Sequence, residues 1–352
     1  MTKFGFLLHP RTQIASDMGQ LFGAPFGWVP DQAYNWALSK MPVPPLVTGR
    51  IRFEHSEPTP EGLLVTVPLS APLLLGMNRR DVQHRVEDAV DKARDLGAGL
   101  VGLGGLTAPV TAGGKAFLHR TDIGITNGNA FTAAMTYLAI ERLLPHLPSY
   151  PIIALVGATG SVGACVTQLV AERHVGQLLL VARNEVRLEL LRAPLQSKHV
   201  RISTDMLDVR QADLIVLMTS AADALLHSEH LKEGAIVLDD TQPRNTSPAL
   251  VQTRPDVQVV DGGLVEIPTM RLKGTIGLKR GLAYACLAET MLLALDGHRG
   301  HFSLGHPRVD QAEYMLHLAD QHAHLGFYLA PFHGFGEPIE VKEPPRQVLQ
   351  VT

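Results

Sequence analysis

The sequence predicts an α/β protein: a doubly wound parallel-sheet domain, preceded by an N-terminal α/β domain and followed by a helical segment. Three observations predict it. Short apolar runs at 152–156, 178–181, 214–218, 236–238 and 257–260 alternate with helical stretches, the spacing of repeated strand–helix–strand units with right-handed crossovers. The first run, Ile152-Ile153-Ala154-Leu155-Val156, is continuously apolar, as a strand covered on both faces must be, and feeds a glycine turn. Upstream, a helical pattern over 81–96 leads through Gly97 into a second apolar strand, 99–103.

In chain order, residues 1–80 read as irregular, because Pro30, Pro42, Pro44, Pro45, Pro58, Pro60, Pro68 and Pro72 punctuate them, with a short strand around Leu63–Val67. In the 81–96 helix, Val82, Val86, Ala89, Val90, Ala93 and Leu96 recur at three- and four-residue steps and line one face. Asp81 reads as its N-cap and Gly97 as its stop. Asn127-Gly128-Asn129 opens a second helix, 130–144, which Pro145 and Pro148 end. The expected organisation is an N-terminal α/β substrate domain over 1–148, a nucleotide domain over 149–270, a helical segment over 271–335 and a loose tail over 336–352.

Composition narrows the functional classes. Of 352 residues, 45% are hydrophobic and 18% charged, enough apolar material for packed cores and against a disordered chain. The net charge of −3 offers no footprint for nucleic acid. Two cysteines, Cys165 and Cys286, exclude a disulfide scaffold and a cysteine-rich zinc module. The apolar stretch Phe4–Leu8 is shorter than the core of a secretory leader, at about 7–15 residues. Longer uncharged stretches are interrupted by glycines, prolines and polar residues. A cytoplasmic setting is expected, with peripheral membrane contact left open.

The glycine turn, Gly157-Ala158-Thr159-Gly160-Ser161-Val162-Gly163, lies between a strand and a helix. There glycines allow a tight turn and close approach of the backbone to a pyrophosphate, while the helix N-terminus offers amide donors and partial positive charge. The expected cofactor-binding residues are Gly157, Thr159, Gly160, Ser161, Val162 and Gly163 in a Rossmann-type site. After the second strand comes Ala182-Arg183-Asn184, then Arg187. An NAD site would place Asp or Glu there; an arginine suits the 2′-phosphate of NADP. Arg183, supported by Asn184 and Arg187, therefore predicts NADPH.

Carbonyl chemistry needs a further group. None of the six tyrosines has a lysine four residues later, so the tyrosine–lysine acid of short-chain dehydrogenases is absent. Cys286 follows two cations, Lys279 and Arg280, and falls about one turn into an apolar helix read as starting near Gly281, a setting that favours a thiolate. By itself the pattern suits a small buried hydrophobe at least as well, and Cys165 reads as core. Glu289 lies three residues on, near Cys286 on the helix, either orienting a base or water or standing on the surface. Lys279 is a candidate to polarise a thioester oxygen.

These segments resemble one family. Leu103-Gly104-Gly105-Leu106-Thr107, Thr126-Asn127-Gly128-Asn129, Val156-Gly157-Ala158-Thr159-Gly160, Ala182-Arg183-Asn184, Asp261-Gly262-Gly263-Leu264-Val265-Glu266, 283–293 and His301-Phe302-Ser303-Leu304-Gly305 resemble the aldehyde-forming long-chain acyl-ACP reductases over about 78–327. The Ala-Cys-x-Ala-Glu core around Cys286 is the specific element. The resemblance implies NADPH-dependent reduction of a fatty acyl thioester, carried on acyl-carrier protein or coenzyme A, to a fatty aldehyde through a cysteine thioester, with the family's catalytic cysteine falling on Cys286. The chain departs from the family at Phe131, where a histidine is usual, and over its first 80 or so residues.

Two other readings compete. A shikimate-type dehydrogenase would use a Lys–Asp pair, for which Lys115 and Asp122 are present; a non-enzymatic NADP sensor would need neither. Arg79, Arg80 and Arg85 offer a docking face for an acidic carrier protein or a solvated helix face. His298, His301 and His306 read as loop histidines, and no metal is expected.

Overall fold

The computed structural model describes residues 3–10, 14–41, 43–173, 176–195, 199–221, 225–242 and 244–341. It divides into two compact units. One joins the residues up to Phe131 with Val265–Pro307 and Glu313–Tyr328; the other joins Thr132–Leu264 with Arg308–Ala312 and the residues from Leu329 on. Most of the expected tail lies outside the described residues.

The first unit is built on a six-stranded sheet of β1 (Lys3–Leu8), β2 (Leu46–Phe53), β3 (Gly62–Thr66), β4 (Ala98–Leu103), β5 (Gly124–Thr126) and the strand Met270–Lys273. Its order is Met270–Lys273, β2, β3, β1, β4, β5; β1 pairs in parallel with β3 and β4, while β2 runs antiparallel to both its neighbours. The stretch too short for a leader is thus a central strand, with Phe4, Phe6 and Leu7 fully buried. The helix Arg79–Asp95 lays Val82, Val86, Ala89, Val90 and Ala93 into the core, the face its periodicity predicts. Its N-cap is not Asp81 but Asn78, whose side chain accepts the Arg80 amide at 2.9 Å. Asp81 lies inside the first turn, where a carboxylate faces the positive end of the helix.

The N-terminal stretch is more regular than its prolines suggested. Helices Ile14–Phe22, Ala24–Gly27 and Asp31–Lys40 come after β1. Pro25 lies in the opening turn of the second helix and Pro30 is the N-cap of the third, positions where a missing amide costs nothing. No residue of Asp31–Lys40 is buried, so no apolar face advertised that helix. The protein's only tryptophans both lie here, Trp28 80% and Trp36 69% exposed. Arg85 ties the following turn to the Arg79–Asp95 helix by donating to the Met41 and Val43 carbonyls, at 2.9 and 3.1 Å.

The second unit is a six-stranded, all-parallel sheet of β6 (Ile152–Val156), β7 (Gln177–Val181), β8 (Val200–Ser203), β9 (Leu214–Leu217), β10 (Ile236–Asp239) and β11 (Gln258–Asp261), in the order β8-β7-β6-β9-β10-β11. The chain winds outward twice from the centre, reversing between β6 and β9: the doubly wound Rossmann arrangement. The sequence did not reveal β8, an edge strand in which Val200 alone is buried. Strand registers set Ser203, Val181, Val156, Leu217, Asp239 and Asp261 level in one row at the carboxyl edge. Among the described residues no helix is long and apolar enough to cross a membrane.

Asn78→Ala is expected to lower stability by about 1 kcal/mol and Asp81→Ala by less than half as much at moderate salt, as urea unfolding followed by circular dichroism would show.

Candidate functional site

The glycine loop grows from the end of β6. Gly157 has φ of 86°, and its amide donates to Val181 O at 2.8 Å; a Cβ there would stand 2.7 Å from Met218 O. The Gly160 amide closes the turn on Gly157 O at 2.8 Å. Gly163 lies in the first turn of the helix Ser161–Arg173, and a Cβ on it would come within 2.3 Å of Gly157 O. The turn, the close approach and the helix–strand packing therefore each exclude a side chain. First-turn amides of a helix have no acceptor within it, and here Ser161, Val162 and Gly163 supply them beside half-buried Thr159. This cradle, at the point where strand order reverses, fits the pyrophosphate of a dinucleotide.

Arg183 lies two residues beyond β7 and, like Arg187, is exposed. Asn184 is occupied otherwise: its side chain accepts the Arg187 amide at 2.9 Å and caps the helix Glu185–Arg192. What this segment can offer a phosphate is the two arginines and the Asn184 Nδ2 donor, since the cap uses only Asn184 Oδ1.

Cys286 belongs to the first unit. The sequence placed it a turn inside a helix from Gly281; instead Leu282–Tyr284 is a strand, and the helix Ala285–Leu295 begins with Tyr284 as N-cap. Half-buried Cys286 is therefore the second helical residue, where the helix dipole favours a thiolate more strongly than a turn further in. Gly128 packs flat against it: at φ 76°, a Cβ on Gly128 would fall 2.2 Å from Cys286 Cβ. The Thr126-Asn127-Gly128-Asn129 stretch is a rigid seat for this cysteine. The Asn127 side chain donates to Gly113 O and Gly305 O at 3.1 and 3.0 Å, and accepts from Ser303 Oγ at 2.7 Å and the Asn129 amide at 3.0 Å.

Glu289 is not a surface carboxylate but has no exposed area. Thr126 Oγ1 donates to Glu289 Oε1, the Phe131 amide donates to Oε2 at 2.8 Å, and the Gly128 and Ala130 amides also reach it. It thus holds the N-terminus of the helix Asn129–Leu143 and fixes the turn on which Cys286 rests. Burial pushes its pKa up to about 7, against the opposing pull of these donors.

Exposed Lys279 lies with Arg271 and Arg280 in the wall of a cavity of about 390 Å³ formed by 270–282. Asp122 is taken by Arg120 and Arg94, which hold its pKa well below the carboxylate range, rather than paired with Lys115. The shikimate-type reading would instead pair Asp122 with Lys115. Asp240, at the end of β10, drew no attention in the sequence although two acids closing an apolar strand are unusual.

No family profile matches the chain. Over 293 residues, 80% of its length, it is 29% identical to aminotransferase PigE of a Serratia species, covering 34% of that protein. Over 195 residues, 52% of its length, it is 30% identical to the long-chain acyl-acyl-carrier-protein reductase of Synechococcus elongatus, covering 56% of that protein. The chain thus spans about a third of one relative and just over half of the other. Among solved structures, glutamyl-tRNA reductase from Methanopyrus kandleri is 20% identical over 52% of this chain and 47% of that one, with a TM-score of 0.30, too loose a likeness to bear on function.

A carboxyl whose native pKa is raised keeps its proton after the unfolded chain has released it, so its stabilisation is full below about pH 4.5 and is lost as pH rises through about 7. Glu289→Gln is expected to flatten that decline by up to about 1.4 kcal/mol per pH unit in urea unfolding between pH 5 and 7. At pH 5 it is expected to cost about 1–3 kcal/mol, since the amide turns donors toward donors.

Proposed function

We propose that this chain is an NADPH-dependent oxidoreductase that reduces a fatty acyl thioester, carried on acyl-carrier protein or coenzyme A, to an aldehyde through a thioester on Cys286. The observation that carries the reading is Cys286 at a helix N-terminus, seated on Gly128, in a chain that also has a dinucleotide cradle. Its 30% identity to an acyl-carrier-protein reductase supports the substrate class.

In this reading the Cys286 thiolate attacks the acyl carbonyl, the carbon–sulfur bond to the carrier breaks, and the carrier leaves as its thiol after taking a proton. A bound NADPH would supply hydride to the new thioester carbonyl. The bond to Cys286 then breaks, the sulfur returns as thiolate, and the aldehyde departs. Glu289 acts as a positioning residue, keeping the Gly128 turn against the cysteine rather than exchanging protons with substrate. Gly157, Thr159, Gly160, Ser161, Val162 and Gly163 hold the pyrophosphate, and Arg183 and Arg187 the 2′-phosphate. Lys279 and Arg280 give their cavity the charge to hold carrier phosphates, Arg271 being engaged by Glu54 and the Pro268 and Met270 carbonyls; Arg79 and Arg80 remain exposed for an acidic carrier, whereas Arg85 is engaged within the chain.

Intact-mass spectrometry after mixing with acyl-CoA in the absence of NADPH is expected to show one acyl adduct, kept in Cys165→Ala and lost in Cys286→Ala. Aldehyde formation is expected to fall at least about 10³-fold in Cys286→Ala; full turnover there overturns the covalent route. Arg183→Ala is expected to weaken NADPH by about 10–100-fold, at about 1.5–3 kcal/mol for a charged contact, with little change for NADH.

A further inference from the structure

We infer that Asp240 serves the dinucleotide site as a neutral acid, and that losing its proton turns the site from indifference toward preference for the oxidised cofactor. The inference rests on reading the Gly157 loop as an NADP(H) site.

Position comes first. The registers place the ends of β7, β6, β9 and β10 side by side, so Arg183, Gly157 and Asp240 all project from one edge of the sheet. With the pyrophosphate at the Gly157 loop and the adenosine phosphate toward Arg183, an extended dinucleotide has only the β9–β10 side for its nicotinamide half. Asp240 stands there, its amide donating to Leu217 O at 3.0 Å and its residue partly exposed. The Asp261-Gly262-Gly263 segment closes on it: a Cβ at Gly262 would stand 2.9 Å from Asp240 Cβ, and one at Gly263 only 2.3 Å from Asp240 Oδ1. That gives this glycine pair, conspicuous in the sequence, a reason.

Thr136 Oγ1 lies 2.8 Å from Thr132 O and 2.7 Å from Asp240 Oδ2. A hydroxyl has one proton. Shared between the Thr132 carbonyl and Asp240, it gives the carboxyl at most one side-chain donor, poor support for an anion in so buried a place. Burial raises the Asp240 pKa to about 7, with the Thr136 hydroxyl opposing the rise and neighbouring Asp239 adding to it. The surrounding charges are committed elsewhere. Asp239 takes four donors, from the amides and hydroxyls of Thr241 and Thr246, and Asp261 takes Arg244 Nε at 2.9 Å and the Phe335 and Gly336 amides.

The oxidised nicotinamide ring is cationic and the reduced ring neutral. A carboxylate beside the ring therefore favours the oxidised form, whereas a carboxylic acid hardly distinguishes them. Binding of NADP⁺ should convert the Asp240 carboxylic acid to carboxylate and release one proton to solvent, with no electron transfer. Binding of NADPH should not.

The test is calorimetric titration of both cofactors at pH 6, 7 and 8. Because both carry the 2′-phosphate, its titration cancels in the ratio of their dissociation constants. The ratio of the Kd of NADP⁺ to that of NADPH is expected to fall at least fivefold from pH 6 to 8. In two buffers of different ionisation enthalpy at pH 6.5, NADP⁺ is expected to release a sizeable fraction of a proton. Asp240→Asn should show a flat ratio between pH 6 and 8. A flat ratio in the wild type, or an unchanged slope in Asp240→Asn, overturns the inference while NADPH binding leaves the cofactor reading standing. Failure of both cofactors to bind overturns the two together.

Discussion

A single carboxyl group removed from water organises the residues around Cys286. Glu289 has no exposed surface, and the Thr126 hydroxyl and three backbone amides converge on it. Such a group is costly to bury and costlier to leave unpaired, so every donor aimed at it is constrained in place. The constrained segment runs from Thr126 to Phe131, and Gly128 in its middle can lie against Cys286 only because it has no side chain. The reactivity proposed for the sulfur thus depends on an acid that does not touch the substrate. Asn127 repeats the logic from the other side, binding the same turn to the loops at Gly113 and Ser303–Gly305.

The two carboxyls with pKa values raised to about 7 solve burial in opposite ways. Glu289 collects four donors, as an anion would; Asp240 meets one hydroxyl, Thr136 Oγ1, which is shared with the Thr132 carbonyl. Similar burial therefore leads to different roles: one carboxyl holds backbone in place, the other is free to respond to charge brought by a ligand.

The sequence made the nucleotide unit legible because its signals are local. A buried parallel strand shows as an unbroken apolar run, and the 157–163 loop carries its glycines in one short stretch, Gly163 answering the Gly157 carbonyl although Gly157 itself answers the distant Met218 carbonyl. It was less informative where structure depends on partners distant in the chain. Helix Asp31–Lys40 has a half-buried side but no fully buried residue, so its pattern is weak, and β8 is a half-polar edge. The start of the Cys286 helix was misplaced because Leu282–Tyr284 is as apolar as the helix after it; only its pairing in a small sheet marks it as a strand. Glu289 and Asp240 looked like ordinary acids, since nothing nearby in sequence announces that residues some 160 and 104 positions away will enclose them. Asn184 and Asp122 were legible as residue types but not as occupied side chains.

The placement of the tryptophans decides what light can report. Trp28 and Trp36 both stand in solvent on the short helices after β1, and the Rossmann unit contains no indole at all. Tryptophan emission from this protein should already be red-shifted in the native state, and it registers the loosening of a single N-terminal segment. An unfolding curve recorded that way would trace that segment while remaining blind to the sheet that holds the dinucleotide.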